Sequence, residues 1–204
     1  MGFLGGVFGP SREEIWRQLC AEIGADFVGG GFWKGDKVQA HVKSWTLTLD
    51  TYTVSTGHSH VTYTRMRSPF VSRDGFRFRI YRAGVFSGLG KALGMQDIDV
   101  GHSAQFDDDF VIQGNDEPKV RALFANPEVR RLIEAQPQIR LEIRDDEGFF
   151  KTSFPEGVDE LHFLALGTIK DVDRLKRMFD LFAAVLEELN RIGAVGEENP
   201  GVAL

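Results

Sequence analysis

Apolar positions along this chain change their period several times, and each change marks an element. Ile15, Trp16, Leu19, Cys20 and Ile23 recur at helical spacing. Ser11 and Glu14 stand ahead of them at capping-box spacing and Gly24 follows, which predicts a first helix. Between positions 38 and 82 the period drops to two. Val38, Ala40 and Val42 alternate with polar neighbours, as do Trp45, Leu47 and Leu49. Val61, Tyr63 and Arg65 oppose Thr62 and Thr64, and Phe76, Phe78 and Ile80 oppose Arg77, Arg79 and Tyr81. Turn residues at 55–57 and 72–75 separate these runs. Closely spaced alternating runs predict an antiparallel meander with one core face and one solvated face, here rich in Thr and Arg.

The second half is organised around residues 106–136. Phe106, Asp108, Phe110 and Ile112 alternate with Asp107, Asp109, Val111 and Gln113, which predicts a strand over 106–113. Asp116 with Pro118, then Asn126 with Pro127, predict two short helices carrying Val120, Leu123, Phe124 and Val129, Leu132, Ile133. Ile139, Leu141 and Ile143 alternate with Arg140, Glu142 and Arg144; a turn at 145–148 and a return strand through Phe150, Thr152 and Phe154 follow. Residues 161–169 are apolar on both parities apart from His162 and Thr168, as a central strand requires. Asp171 caps a last helix whose stripe runs through Leu175, Met178, Phe179, Phe182, Val185, Leu186 and Leu189. Residues 84–94 predict a short helical or mobile connection and 95–100 one more short strand.

The expected fold is therefore α+β: a mainly antiparallel meander sheet of about eight or nine strands with helices packed on one side. One domain spans 11–193, as a single curved sheet or as two similar sub-lobes, 11–103 and 104–193, between a flexible apolar segment (1–10) and a frayed tail (194–204). A chain of 204 residues suffices for a proper core. The 17 Phe against 3 Tyr point to a core filled with phenylalanine.

Composition removes several function classes. A net charge of -6 makes nucleic acid an improbable partner for a surface acting through bulk charge. Cys20 is the only cysteine, so there is no intrachain disulfide and no Cys-rich zinc site, and the reading is a cytoplasmic protein. No apolar run reaches the ~18 residues of a membrane span. Residues 1–9 carry Phe3, Leu4, Val7 and Phe8 without basic residues, which allows membrane contact but does not favour it. No cofactor is expected. Residues 84–91 fail the nucleotide-loop spacing: Gly84 lies six positions before Gly90, and Ala92 stands where Ser or Thr must hold magnesium. Gly29, Gly30 and Gly31 lack the Gly-Lys-Ser/Thr ending of a phosphate loop, and no Gly-x-Ser-x-Gly elbow occurs. Three successive strand carboxylates, Asp107 to Asp109, point to alternating faces and cannot converge on one metal.

Two constellations remain as candidate sites. His58 and His60 flank Ser59 and share a strand face if the strand extends that far; His41 and His102 are conceivable third metal ligands, and His102 or His58 a conceivable acid–base group. Tyr52, Thr62, Tyr63, Thr64, Arg65, Arg77 and Arg79 make a Thr/Tyr/Arg-rich sheet face, the best local case for an anionic ligand or, against the bulk charge, nucleic acid.

The runs at 9–16, 29–35, 49–55, 93–97 and 106–124 together resemble a family of uncharacterised single-domain bacterial proteins of unknown function. The resemblance extends over nearly the whole chain and implies a soluble bacterial cytoplasmic protein; it carries no assigned chemistry. The leading expectation is a non-enzymatic binding or interaction module for an unknown protein or small-molecule partner, acting through the sheet face. A metal-dependent or acid–base enzyme using the histidines and a peripheral membrane protein using residues 1–9 are the alternatives. Oligomeric state stays open.

Overall fold

The computed structural model describes residues 9–31, 35–57, 59–84, 96–145 and 154–204. Residues 150–153 of the expected return strand, most of the connection at 84–94 and nearly all of the N-terminal apolar segment lie outside them. Among the described residues, nine strands form one antiparallel sheet. They are β1 (Asp26–Val28), β2 (Lys37–Val42), β3 (Trp45–Thr56), β4 (Ser59–Val71), β5 (Phe78–Arg82), β6 (Gln96–Asp97), β7 (Phe110–Gly114), β8 (Arg140–Arg144) and β9 (Val158–Leu166). The order is β1-β2-β3-β4-β9-β8-β5-β7-β6. β2, β3 and β4 form the first three strands of the expected meander, with β1 added at its edge; its expected fourth strand, β5, does not pair with β4. The β8–β9 pair then inserts between β4 and β5, so strands from either side of position 103 interleave in one sheet.

Helices α1 (Arg12–Ile23), α2 (Ala104–Asp109), α3 (Glu117–Ala125), α4 (Pro127–Glu134) and α5 (Val172–Arg191) share a single apolar core with one face of the sheet. Their ends follow the sequence. Ser11 and Glu14 complete the capping box of α1, Gly24 closes it in the left-handed conformation, and Asp116 and Asp171 accept from the third amide of α3 and α5. Asn126 closes α3 and opens α4, accepting from the Glu128 amide (2.9 Å) while its Nδ2 donates to the buried Glu188 Oε2 (3.1 Å).

The expected strand over 106–113 is corrected. Residues 104–109 are helical and only Phe110 onward is extended. Ser103 caps this helix, and Asp107 accepts from the amides of Val100 and Gly101 at 3.0 Å each. A short polar side chain that satisfies loop amides favours a helix start over continued strand. Phe106 then packs on Phe110 and Phe124, with ring centroids 4.8 and 6.1 Å apart. The tail is corrected too. Val195 is fully buried and bridges to Ser72, the Gly196 amide donates to the Val71 carbonyl, and the Trp45 indole N–H donates to the Gly196 carbonyl at 3.3 Å. A buried indole N–H needs an acceptor, and the backbone after α5 supplies it.

Register organises the sheet. Phe27, Val38, Leu49, Met66, Phe163, Leu141, Ile80 and Ile112 lie opposite one another in an unbroken row across β1 to β4, β9, β8, β5 and β7. The next row, on the other face, is Asp26, Gln39, Thr48, Arg67, His162, Glu142, Arg79, Gln113 and Asp97, which crosses all nine strands and is polar throughout.

Asn126 is the fold's most economical test. Asn126→Ala removes a cap and the partner of a buried carboxylate, and should lower unfolding stability by about 1–3 kcal/mol in urea titration. Asn126→Asp keeps the cap oxygen but sets a carboxylate against Glu188, so it should recover only part of the loss at neutral pH.

Candidate functional site

The polar face was expected to be solvated. Its centre is not. Glu160 is 0% exposed, His162 and Glu142 are each 2% exposed, and Arg67 and Gln113 are buried as well. The location follows from topology. β9 and β8 are interior strands, so residues 142, 160 and 162 sit far from either sheet edge. Charge removed from water at such a place must be paired and hydrogen-bonded.

Two carboxylates do most of the pairing. Asp50 receives Arg65 in a two-point bond, Nε to Oδ1 at 2.8 Å and Nη2 to Oδ2 at 2.6 Å, and Arg67 Nη2 donates to the same Oδ2 at 2.8 Å. Arg65 also lies over the Tyr52 ring, 5.0 Å from its centroid. Glu142 Oε2 accepts from Arg79 Nε at 2.5 Å and from Arg140 Nη2 at 3.2 Å, and its Oε1 stands in ion-pair range of Arg140 Nη2 at 2.9 Å and Arg144 Nε at 3.7 Å. Five guanidinium groups therefore share two carboxylates, which leaves an excess of positive charge.

Beside these pairs lies a cavity of about 150 Å³, lined by Tyr52, Arg65, Arg140, Arg144, Glu160, His162 and Leu164. Neither carboxyl oxygen of Glu160 has a hydrogen-bond partner among the described residues, and neither does His162 Nδ1. Arg144 Nη1 stands 3.3 Å from His162 Nε2. A guanidinium only donates, so Nε2 accepts and the ring proton belongs on Nδ1, making the imidazole neutral. Its protonation is opposed first by burial and then by Arg144, Arg65, Arg67 and Arg140, which hold its pKa well below the usual imidazole value. Burial raises the Glu160 carboxyl to about 7 despite the nearby Arg67, Arg144 and Arg65, and Asp50 pushes the same way. The site thus keeps His162 neutral, and holds Glu160 protonated below about pH 7 and as a carboxylate above it.

The expected surface residues divide by strand parity. Tyr52 and Arg65 line the cavity and Arg79 belongs to the Glu142 cluster. Tyr63 pairs directly across from Tyr52. Thr62 and Thr64 have the other parity. The Thr62 hydroxyl bonds that of Thr53, and the buried Thr64 hydroxyl donates to the Gly167 carbonyl while accepting from the Ile169 amide, both at 2.8 Å. Arg77 lies at the far end of the sheet in a two-point bond to Asp159 at 2.6 and 2.7 Å. His58 lies outside the described residues. His60 and His102 are exposed, and among the described residues no group of three or more His, Cys, Asp or Glu side chains could hold a metal.

Sequence reasoning had not singled out Arg140, Arg144, Glu142, Glu160 and His162. One signal was present: His162 interrupts an otherwise apolar run on a central strand, and a polar residue there must be buried.

The fold and site together define an antiparallel α+β protein with a buried, arginine-rich cavity on its polar sheet face. Comparison with protein-family models, with characterised proteins and with solved structures gave no match.

The two shifted groups act oppositely on stability. As pH falls from about 7 to 4.5, folded Glu160 takes up its proton before the unfolded chain does, so its contribution to stability rises. As pH falls through 6.5, the unfolded chain protonates His162 and the folded one does not, so that contribution falls. Glu160→Gln removes only the first. It should be more stable than wild type at pH 8, by on the order of 3 kcal/mol, and should lose stability on acidification below 6.5 more steeply. Urea midpoints at pH 5, 6.5 and 8 check the sign and the narrowing of the difference as pH falls.

Proposed function

We propose that the protein is a non-enzymatic binding module for a small anionic molecule, working through the polar face of its sheet. The cavity carries this reading: it sets an unpartnered carboxyl and an unpartnered imidazole N–H inside a cluster with surplus guanidinium charge. A buried polar group without a partner is destabilising, and native structures satisfy such groups with water, ions or ligands. Surplus arginine selects an anion. The volume, about 150 Å³, is below the ~300–1,000 Å³ of sites for drug-sized ligands, so the reading favours a compact molecule over a nucleotide or a peptide.

A bacterial cytoplasm fits the family resemblance and the buried, unpaired Cys20. Among the described residues no helix is long and apolar enough to cross a membrane.

Thermal denaturation in the presence of a panel of inorganic oxyanions and organic acids of two to four carbons tests the reading. At least one should raise the midpoint of the wild-type chain in proportion to the logarithm of its concentration. Arg144→Met should weaken that response roughly tenfold or more in apparent affinity, since it removes the guanidinium least neutralised by a carboxylate. No response to any member of the panel would overturn the proposal.

A further inference from the structure

Among the residues that line the cavity, the ion pairs leave a definite set of groups unused. Arg140 Nε and His162 Nδ1 are buried N–H donors without partners, and Glu160 offers two unpartnered oxygens. Arg144 is met by a neutral ring at Nη1 and by Glu142 only at 3.7 Å. Three donors therefore adjoin one acceptor. Glu160 and His162 are two residues apart on the same strand face, a separation of roughly 7 Å that one small molecule can bridge with a hydrogen bond to each.

This arrangement discriminates among anions. Above about pH 7 Glu160 is a carboxylate, and there a fully deprotonated anion such as sulfate accepts from the three N–H groups but faces the Glu160 oxygens with no donor, like charge against like charge in a desolvated site. A neutral molecule leaves the guanidinium surplus uncompensated. An anion that also bears a hydroxyl satisfies both needs.

We propose that the cavity binds a small oxyanion carrying its own O–H, of the size of hydrogen phosphate or a two-carbon hydroxy acid. The oxygens of the anion accept from Arg140 Nε, Arg144 and His162 Nδ1, and its O–H donates to Glu160. The volume of about 150 Å³ suits such a molecule, being near that of an engineered cavity that takes up benzene. The proposal rests on the binding-module reading and narrows it to one ligand chemistry, with Glu160 as the residue that sets specificity.

Isothermal titration of the full chain at pH 8 and low ionic strength tests it with four probes: inorganic phosphate against sulfate, and glycolate against acetate. Wild type should prefer the hydroxyl-bearing member of at least one pair by roughly tenfold or more, and which pair responds separates the inorganic from the organic source. Glu160→Gln should bring the two members of that pair within about threefold, because a neutral amide that can also donate no longer penalises the bare anion. Equal affinity within both pairs, or an unchanged preference in Glu160→Gln, would overturn this proposal and leave the binding-module reading intact. Binding by none of the four probes, when another anion of the wider panel binds, would do the same; failure of the whole panel would overturn both. Should Glu160→Gln fail to fold, the wild-type ratios decide alone.

Discussion

One register holds this molecule together. Across the sheet an apolar row alternates with a polar row, and each is continuous because every antiparallel pairing agrees with the next. A slip of one residue at any interface would carry the polar residues of that strand into the helices and the apolar ones out. The helices reinforce the choice. Trp16, Phe124, Phe182 and Leu189 are fully buried within the core shared with the apolar face. Most of the favourable free energy of folding lies there, at about 25 cal/mol per Å² of apolar surface removed from water.

The same register creates the electrostatic problem on the opposite face. With β9 between β4 and β8, His162 lies between Arg67 and Glu142, and Glu160 lies between Pro69 and Arg144. Ionising every acid and base there would cost several kcal/mol per unpaired charge. The structure answers with shared pairing at Asp50 and Glu142, with a neutral His162, and with a Glu160 that keeps its proton up to about pH 7. Because their pH responses oppose each other between pH 4.5 and 6.5, the pair flattens stability over an interval in which either alone would tilt it.

Much of this architecture is legible locally. Ser11, Asp116, Asn126 and Asp171 announce their helices by cap chemistry, the alternation of residues 45–49 and 139–143 declares strand and face, and the apolar run from 161 declares a central strand. What is not legible is long-range. No local signal says that β8 and β9 pass between β4 and β5, and the burial of Glu160 follows from that crossover. Residues 104–109 misled for the opposite reason. Their apolar spacing matches a strand as well as a helix, and the deciding bonds, from the Val100 and Gly101 amides to Asp107, come from outside the window. Tyr52, Arg65 and Arg79 were within reach because parity alone places them on the polar face; parity also separates Thr62 and Thr64 from that group.

Leu164 gives the cavity its clearest internal control. It occupies the same face of the same strand as Glu160 and His162, lines the same cavity, and lies opposite Arg65 on one side and Arg140 on the other. An apolar side chain is therefore accommodated among these guanidinium groups. Stability alone gives no reason for an unpaired carboxyl four residues earlier, since an amide or aliphatic side chain there would avoid the desolvation that raises its pKa. A residue that breaks local energetic consistency at the best-protected point of a sheet is the kind of departure that marks function, and the energy it withholds from folding becomes available to a ligand able to satisfy it.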